Sequence, residues 1–517
     1  MPTPVDAKPR MLFFNGPWDF LSEKLCKAHL EPLTRLLQQD FEVISVQGDC
    51  DFAAEVDKHR PDIALFCPSF ECPNEPSRTI INTDSHPELP RLGYMWRDSF
   101  TSTRLRILCD FDRWGVQQIF APFRKSEVGG MMPNIMYLPY WYDPHQFRDR
   151  GLEKEIPVFL FGAGWLGGNV LYPWRGKVGT SLLPKVPCLH APSLGNTREH
   201  KERMVGEECA RMLNRSFFSP ACGTIGHLLT CKMIEIPASR CCLITQDIKM
   251  TRAVGFQDGV NCVMTDGDNV VQRVNELLDD PERLRAITDA GHRLVTERHG
   301  SAQRRMFREW YDLWKLRKPS QRIVQDDPFK PLRLAEAAEP EPADPHADSP
   351  LHEMVLEGYR LLDDGQYDAA MEPFKQATHF VPYHSEALLG LGICLMHKKQ
   401  WAEATKPLLH NVGFLQIMHS PVQDPVSIAL AAMACIRADR VRDALGILSL
   451  QAHLHHPAVD AAREIARALL PQRAEQPPLN NVDRSGRIDI KTLHLLPLMD
   501  FPAWVRYLVS LMGLSLK

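Results

Sequence analysis

Short apolar runs alternate with stretches of helical periodicity through the first 150 residues. The apolar runs have the length and composition of buried strands, and they lie at residues 11–15, 41–46, 62–67, 116–122 and 134–139. Apolar residues at helical spacing occur at 21–37 and 52–60. Strands that alternate with helices imply right-handed crossovers and a parallel sheet covered on both faces. The pattern therefore predicts an α/β, Rossmann-like domain over residues 1–150.

A second alternating unit follows over residues 151–317. Its expected strands are 157–161, 186–190, 242–246 and 259–265. Its expected helices are 172–183, 197–213, 225–236, 269–278, 281–298 and 302–315. Two consecutive Rossmann-like domains closed by a long terminal helix predict a ligand cleft between the domains.

The composition changes after this unit. Proline and acidic residues recur over 318–350 and apolar periodicity is lost, which predicts an extended, solvated linker. Beyond it, small and large residues recur with a period of 34 residues. The first copy comprises Gly358, Tyr367, Ala370, Phe374, Ala377 and Pro382. Later copies contain Gly392, Trp401, Ala404 and Leu408, and then more weakly Ala432, Ala444 and Leu448. These spacings resemble tetratricopeptide repeats and predict an all-α repeat domain over 351–495.

The last segment, residues 496–517, has an apolar stripe at three- and four-residue steps. The stripe predicts an amphipathic helix and comprises Phe501, Trp504, Val505, Leu508, Leu511 and Met512. About 15 residues follow Pro502, too few to cross a bilayer of ~30 Å. The helix can cap the last repeat, pack on the preceding domains, or lie on a membrane or partner. Capping is the favoured interpretation, because a terminal repeat otherwise exposes its apolar face.

Charge and cysteine content narrow the function classes. Sixty Lys and Arg residues against 64 Asp and Glu residues give a net charge of −4, and no basic run offers a surface for nucleic acid. The 14 cysteines form no C-x-x-C pair, so no metal site is expected and the thiols suit a reducing compartment. No signal-peptide pattern and no apolar run of ~18 residues is present, so we expect a cytoplasmic protein without a transmembrane span.

The stretch 223–268 carries the most informative candidate chemistry. A Gly-rich turn at the start of the expected helix 225–236, with Gly226 and His227 in it, offers backbone N–H groups and a positive helix end to a diphosphate. Lys232 can neutralise phosphate charge, and Glu235 can accept hydrogen bonds from ribose hydroxyls. The alternative is that Lys232 and Glu235 form a solvated surface pair.

The segments KMIEIPASRCCLIT and DGVNCVMTDGD resemble the C-terminal half of family-1-type GT-B glycosyltransferases, most closely the CgeB-like spore-protein branch. In the wider family two glutamates eight positions apart flank this helix, and the second contacts the nucleotide ribose. Glu235 matches the second glutamate, whereas His227 occupies the position of the first. The segments FGAGW and LYPWR, which contain Gly162 and Arg175, are also similar to that branch. There this region opens the donor domain, so we expect Gly162 to lie in the donor site and Arg175 to face phosphate.

The resemblance implies transfer of a sugar from a nucleotide-sugar substrate, with no separate cofactor and no bound metal. Asp266 and Asp268 flank a glycine, but their place at the end of an expected strand favours a turn over a metal-binding D-x-D motif.

Residues on the acceptor side are expected in the first domain. Asn15 and Gly16 follow the first strand and face the cleft in this architecture, and His86 is a further candidate. Asp98 is the candidate catalytic base, with a helix N-cap as the competing role.

Attached repeats favour a protein acceptor or an assembly partner bound by the repeat domain. Two other functions stay open at this stage. One is a nucleotide-sugar epimerase with the same two-domain fold, and the other is a catalytically decayed GT-B scaffold, which His227 in place of a carboxylate favours.

Overall fold

A computed structural model gives the fold of the chain. It describes residues 8–16, 23–68, 78–96, 99–100, 104–123, 134–167, 169–192, 204–417 and 425–450, with short pieces at 454–455, 459–460, 462–464, 466 and 488–489. The predicted amphipathic helix over 496–517 lies outside the described residues.

The first domain is built on a six-stranded parallel sheet. Its strands and helices are β1 Arg10–Asn15, α1 Glu23–Gln38, β2 Glu42–Gln47, β3 Cys50–Asp51, α2 Phe52–His59, β4 Ile63–Cys67, β5 Ile80–Ile81, β6 Arg91–Tyr94, α3 Arg104–Arg113, β7 Gln118–Ala121 and β8 Ile135–Tyr137. The strand order is β2-β1-β4-β6-β7-β8, and β3 pairs separately with β5. The apolar runs expected as strands form β1, β2, β4, β7 and β8. The sequence did not predict β6, because Arg91 and Gly93 interrupt its apolar pattern.

The second domain contains a five-stranded parallel sheet. Its elements are β9 Ile156–Phe161, α4 Pro173–Leu182, β10 Cys188–Ala191, α5 Gly206–Asn214, β11 Ser216–Pro220, α6 Cys231–Ala238, β12 Cys242–Thr245, α7 Lys249–Val254, β13 Val263–Met264, α8 Val270–Leu278, α9 Pro281–Arg298 and α10 Met306–Leu316. The strand order is β10-β9-β11-β12-β13. This is the arrangement of two Rossmann-like domains that the resemblance to GT-B proteins implies. The sequence did not predict β11. The expected start of the helix over 225–236 was wrong, because α6 begins only at Cys231.

The chain returns to the first domain through α10. Phe307 and Trp310 of α10 are buried against the first sheet and α1. At the crossing, the buried guanidinium of Arg304 donates to the carbonyls of Pro139 and Tyr140, at 3.2 and 3.3 Å. It also donates to the carbonyl of Arg298 at 3.2 Å. One side chain thus joins the outgoing and returning connections between the two domains.

Residues 318–350 differ from the extended, solvated linker that their composition predicts. They contain an antiparallel hairpin of β14 Gln321–Val324 and β15 Arg333–Glu336, whose Val324 and Ala335 are buried. Gln325 exchanges two hydrogen bonds of 2.8 Å with the backbone of Tyr137, at the edge of the first sheet. Three acidic residues of this segment pair with arginines: Glu341 with Arg322, and Asp326 and Glu339 with Arg333.

Six helices follow in antiparallel pairs. They are α11 Pro350–Asp363, α12 Tyr367–Phe380, α13 Ser385–His397, α14 Trp401–Ile417, α15 Pro425–Arg437 and α16 Val441–Leu450. The Phe374 ring packs where Gly358 has no side chain, and Leu408 packs in the same way against Gly392. The spacing of small and large residues therefore predicted the helix crossings correctly. A two-residue pairing of β16 Leu454–His455 with β17 Ile488–Asp489 comes after the helices.

The repeat domain packs against the first domain. α13 is buried on nearly all sides, and its apolar residues share one core with Phe100 and Ile107. Within this contact Arg104 of α3 donates to Glu386 of α13, and both side chains are less than 10% exposed. Burial alone would raise the pKa of Glu386. The pKa is nevertheless lowered, and the Arg104 guanidinium contributes most to that lowering. Among the described helices, none is long and apolar enough to cross a membrane.

The buried pair predicts a large effect of a single substitution. Replacing Arg104 with Ala leaves the Glu386 carboxylate buried without its cation, so we expect a loss of about 3–5 kcal/mol in the free energy of unfolding. Urea denaturation followed by circular dichroism measures this loss. Arg360→Ala removes a cation from an exposed pair with Glu357 and serves as the control, which should lose far less stability because solvent screens that pair. Equal stability of the two variants would contradict the docking of the repeats through Arg104.

Candidate functional site

The strand order of the second sheet reverses at β9. Its neighbours are β10 on one side and β11 on the other, so the crevice beyond the carboxyl end of β9 is the topological switch point where open α/β sheets bind ligands. The chain leaves β9 through Gly162, whose φ of 89° is the left-handed region that favours glycine. A Cβ atom at Gly162 would collide with the Nζ atom of Lys232. The glycine therefore creates the space in which a lysine lies at the strand end.

Arg175 approaches the same strand end from the first turn of α4. Its side chain is 4% exposed, and its Nη1 atom donates to the carbonyl of Ala163 at 3.2 Å. The guanidinium lies 4.1 Å from the ring centre of Tyr172 and 5.4 Å from that of Trp165. The Nε atom is buried and has no hydrogen-bond partner among the described residues. Aromatic faces hold this cation in place without neutralising its charge.

Lys232 provides a second cation. Its Nζ atom donates to the carbonyl of Phe161 at 2.8 Å and lies 4.0 Å from the centre of the Phe161 ring. Burial, and next the nearby charge of Arg175, lower the pKa of Lys232 to about 8. Two cations thus converge on one strand end, and the charge of Arg175 disfavours that of Lys232.

Glu235 lies one turn further along α6 and is the carboxylate nearest in sequence to this cluster. Burial raises the pKa of Glu235 to about 7, while Lys232 and a hydrogen bond from the Cys231 thiol act in the opposite direction. At neutral pH the carboxyl group is therefore only partly ionised and does not fully balance Arg175 and Lys232. The surplus positive charge suits an anionic ligand.

The Gly-rich segment before α6 is a turn and not the first part of a helix. Thr224 and His227 have φ values of 61° and 51°, outside the helical range. The amide of Gly226 donates to the Thr224 hydroxyl at 3.1 Å, and that of Leu228 donates to the Gly223 carbonyl at 2.7 Å. These amides are used within the turn. The expectation that the Gly-rich turn offers them to a diphosphate was wrong, and the positive charge comes from side chains instead.

Gly226 has a different role from the one expected. A Cβ atom there would lie 3.2 Å from the ring of Phe100 in the first domain, so the glycine permits close contact between the two domains. The neighbouring amide of Ile225 donates to the carbonyl of Leu171 at 3.0 Å, which ties the turn to the segment that carries Tyr172. The structure thus brings together Gly162, Arg175, Lys232 and Glu235, with the turn beside them.

Asn15 and Gly16 lie at the carboxyl end of β1, which is the switch point of the first sheet, between β2 and β4. The Asn15 side chain is buried, and its Oδ1 atom has no hydrogen-bond partner among the described residues. Tyr94 ends β6 on the same edge. Its pKa is raised by burial first and then by Cys67 and Cys231, which places the start of α6 near this edge. The carboxyl ends of the strands in the first sheet therefore face the cluster in the second domain.

His86 lies elsewhere. Its carbonyl accepts a hydrogen bond of 3.1 Å from the side chain of Arg91, the first residue of β6, so His86 is at the amino end of the parallel strands. Its ring lies 3.3 Å from a carboxylate oxygen of Asp57 at the surface. The structure does not bring His86 to the cleft, because the loop that carries it enters β6 and does not leave it. Asp98 lies outside the described residues.

Asp266 and Asp268 form a tight turn. The amide of Asp268 donates to the Asp266 carboxylate at 2.9 Å, Gly267 has a φ of 102°, and Lys177 pairs with Asp268 at 2.8 Å. Within the described part of the chain, no group of three or more His, Cys, Asp or Glu side chains is arranged to hold a metal ion.

Comparisons with known proteins agree with the two-part organisation. Residues 151–309 match a family model described as glycosyl transferase-like, and residues 361–408 match one described as a tetratricopeptide repeat. A comparison with curated proteins finds no match. The glycosyl transferase-like match includes the four residues of the cluster.

Several solved structures show a distant likeness to this chain. HepE from Anabaena in complex with UDP-glucose is 10% identical, with 57% of this chain and 96% of that chain covered and a TM-score of 0.36. Sucrose-phosphate synthase from Thermosynechococcus elongatus is 9% identical, with 60% and 100% covered and a TM-score of 0.41. A glycosyltransferase from Rickettsia africae is 10% identical, with 60% and 100% covered and a TM-score of 0.35. Likeness at this level does not indicate a shared substrate.

The lowered pKa of Lys232 predicts a pH dependence of anion binding. The protonated amine attracts an anion and predominates below a pKa of about 8, so affinity for inorganic pyrophosphate should fall roughly tenfold between pH 7 and pH 9. Deprotonation of Glu235, with a pKa of about 7, acts in the same direction. Calorimetric titration at the two pH values measures the change.

Lys232→Arg is the matched control for this titration, because arginine stays protonated at pH 9. Most of the pH dependence should disappear in that variant. The same pH dependence in the wild type and in Lys232→Arg would show that Lys232 does not bind the anion.

Proposed function

We propose that this protein is a glycosyltransferase that moves a sugar from a nucleoside-diphosphate donor to an acceptor. The observation that carries the proposal is the pair of incompletely neutralised cations, Arg175 and Lys232, at the switch point of a domain that matches a glycosyl transferase-like family model. A diphosphate has the charge and size to bridge two such cations, and a sugar diphosphate is a substrate whose reaction releases that group.

The chemistry follows from where charge develops. When the bond between the sugar and the diphosphate breaks, negative charge accumulates on the leaving diphosphate. Arg175 and Lys232 are held by the carbonyls of Ala163 and Phe161, so they need not reorganise as that charge appears. In the proposed mechanism, Arg175 and Lys232 therefore stabilise the leaving group. Glu235, near Lys232, accepts hydrogen bonds from the ribose hydroxyls.

The acceptor side of the proposal lies in the first domain. Asn15 and Gly16 end the strand at that sheet's switch point, and the buried Oδ1 atom of Asn15 can accept a hydrogen bond from an acceptor hydroxyl. Asp98 remains the candidate for a base that removes the proton from that hydroxyl. His86 is not part of the proposed site.

The repeats favour a protein as acceptor or assembly partner, and membership of the CgeB-like branch is the finer family assignment that we propose. The buried contact of α13 with the first domain limits how a partner can bind. A peptide that needs the face of α13 would have to displace the Arg104–Glu386 pair. We therefore propose that a partner binds the outward surfaces of the repeats, with the transferase domains held at a fixed position beside it.

The role of Glu235 gives a quantitative test. Replacing Glu235 with Ala removes charge-assisted hydrogen bonds to ribose, so binding of the cognate nucleoside diphosphate should weaken by about 1–3 kcal/mol. The cognate base is identified first by thermal shift with UDP, GDP, ADP, CDP and dTDP, since a ligand of the folded state raises the melting temperature. Isothermal titration calorimetry then compares the variants.

The exposed Glu276→Ala substitution in α8 is the control and should leave the dissociation constant unchanged. An unchanged constant in Glu235→Ala would remove Glu235 from the donor site. Turnover of the matching nucleotide sugar separates the three functions: release of nucleoside diphosphate indicates a transferase, and a changed sugar on an intact donor indicates an epimerase. Binding without turnover against any acceptor indicates a scaffold.

A further inference from the structure

The segment that leads into the repeats runs along the carboxyl edge of the second sheet. One carboxylate oxygen of Asp348 accepts a hydrogen bond of 2.8 Å from the amide of Lys249, which follows β12. The Lys249 amine in turn donates to the carbonyl of Ala347 at 2.9 Å. The next residue, Ser349, caps the first repeat helix by accepting from the amide of His352 at 3.2 Å. Asp348 thus connects the second domain to the start of the repeats.

The same carboxylate oxygen lies 3.6 Å from the Nδ1 atom of His227. His227 is in the turn between β11 and α6, five residues before Lys232. Its φ of 51° is unusual for a residue with a side chain, and its ring is 23% exposed. The Nδ1 atom is buried and has no hydrogen bond among the described residues.

The turn that carries His227 adjoins both neighbouring loops at this edge. A Cβ atom at Gly223 would lie 2.9 Å from the side chain of Ile248, next to Lys249, while Ile225 is bonded to Leu171 beside the Arg175 site. The turn that carries His227 therefore adjoins both the segment before Arg175 and the loop that Asp348 contacts. The second ring nitrogen, Nε2, is on the side of the ring away from Nδ1.

We propose that Asp348 is a positioning residue for the donor site, which orients the His227 ring so that its other nitrogen donates to the diphosphate. This rests on the function proposed above. An imidazolium ring donates through both nitrogens, so such a ring at His227 can bridge Asp348 and a phosphate oxygen. The charged groups near this pair are Asp348 itself, the Lys249 amine and Arg252, whose pKa is raised first by Asp247 and to a smaller extent by Asp348.

Such a role for Asp348 gives the contact between residues 347–349 and the second domain a function. Loss of the carboxylate would weaken binding of a diphosphate without any change in the residues that touch Arg175 or Lys232. It also makes the donor site dependent on the position of residues 347–349, and so on the start of the repeat domain.

The test measures the affinity of the full-length protein for inorganic pyrophosphate by calorimetry at pH 7. Asp348→Asn keeps an oxygen for the Lys249 amide and removes the charge, so we expect affinity to fall about three- to tenfold. His227→Gln should give a similar loss, and the double variant should lose no more than either single variant. Asp348→Glu, which restores the carboxylate, should recover at least half of the loss.

The matched control is Asp326→Asn, the same substitution in the same segment at a carboxylate that pairs with Arg333. Equal pyrophosphate affinity of Asp348→Asn and Asp326→Asn, or losses that add in the double variant, would overturn the inference. If Asp348→Asn lowers the melting temperature, His227→Gln decides alone, and wild-type affinity in that variant overturns the inference. Because the wild-type protein would still bind pyrophosphate through Arg175 and Lys232 in each of these cases, the proposed function would stand. Absence of binding by the wild type would overturn both.

Discussion

Two cations at the end of one strand impose the main constraint on the second domain. Arg175 and Lys232 repel each other, and burial opposes the charge of Lys232. Arg175 is therefore held by the carbonyl of Ala163 and the ring of Tyr172. Lys232 is held by the carbonyl and the ring of Phe161. Gly162 leaves the room that this arrangement needs. A fold that keeps two poorly compensated cations together gains from a ligand that carries two negative charges.

The rest of the molecule holds the surroundings of this cluster in place. The first domain brings the carboxyl edge of its sheet towards α6, and Arg304 joins the two chain crossings between the domains. The repeats are fixed to the first domain by Arg104 and to the second by the contacts of Asp348. The first domain, the second domain and the start of the repeat domain thus border the cleft. The repeats are held by these contacts and are not joined through a flexible linker.

Much of the fold follows from local sequence pattern, because buried parallel strands need continuous apolar runs and repeat helices need small residues at their crossings.

The prediction failed where contacts with distant parts of the chain decide the conformation of a segment. Arg91 interrupts an apolar run, yet it lies in a central strand because its guanidinium binds the carbonyls of Ser85 and His86. Proline and acid over 318–350 indicated a solvated linker, but arginines pair with the acids and the hairpin buries Val324. The apolar spacing of Ile225 and Leu228 fits a helix, although the positive φ of His227 makes it a turn. The pairing of His227 with Asp348 joins residues 121 positions apart, and no local pattern encodes it.

A crystal structure of the protein with its cognate nucleoside diphosphate tests the proposed donor site most directly. We expect density for the two phosphates between the Arg175 guanidinium and the Lys232 amine, with the ribose hydroxyls within hydrogen-bond distance of Glu235. A nucleotide bound elsewhere, with Arg175 and Lys232 making no contact to phosphate, would contradict this proposal.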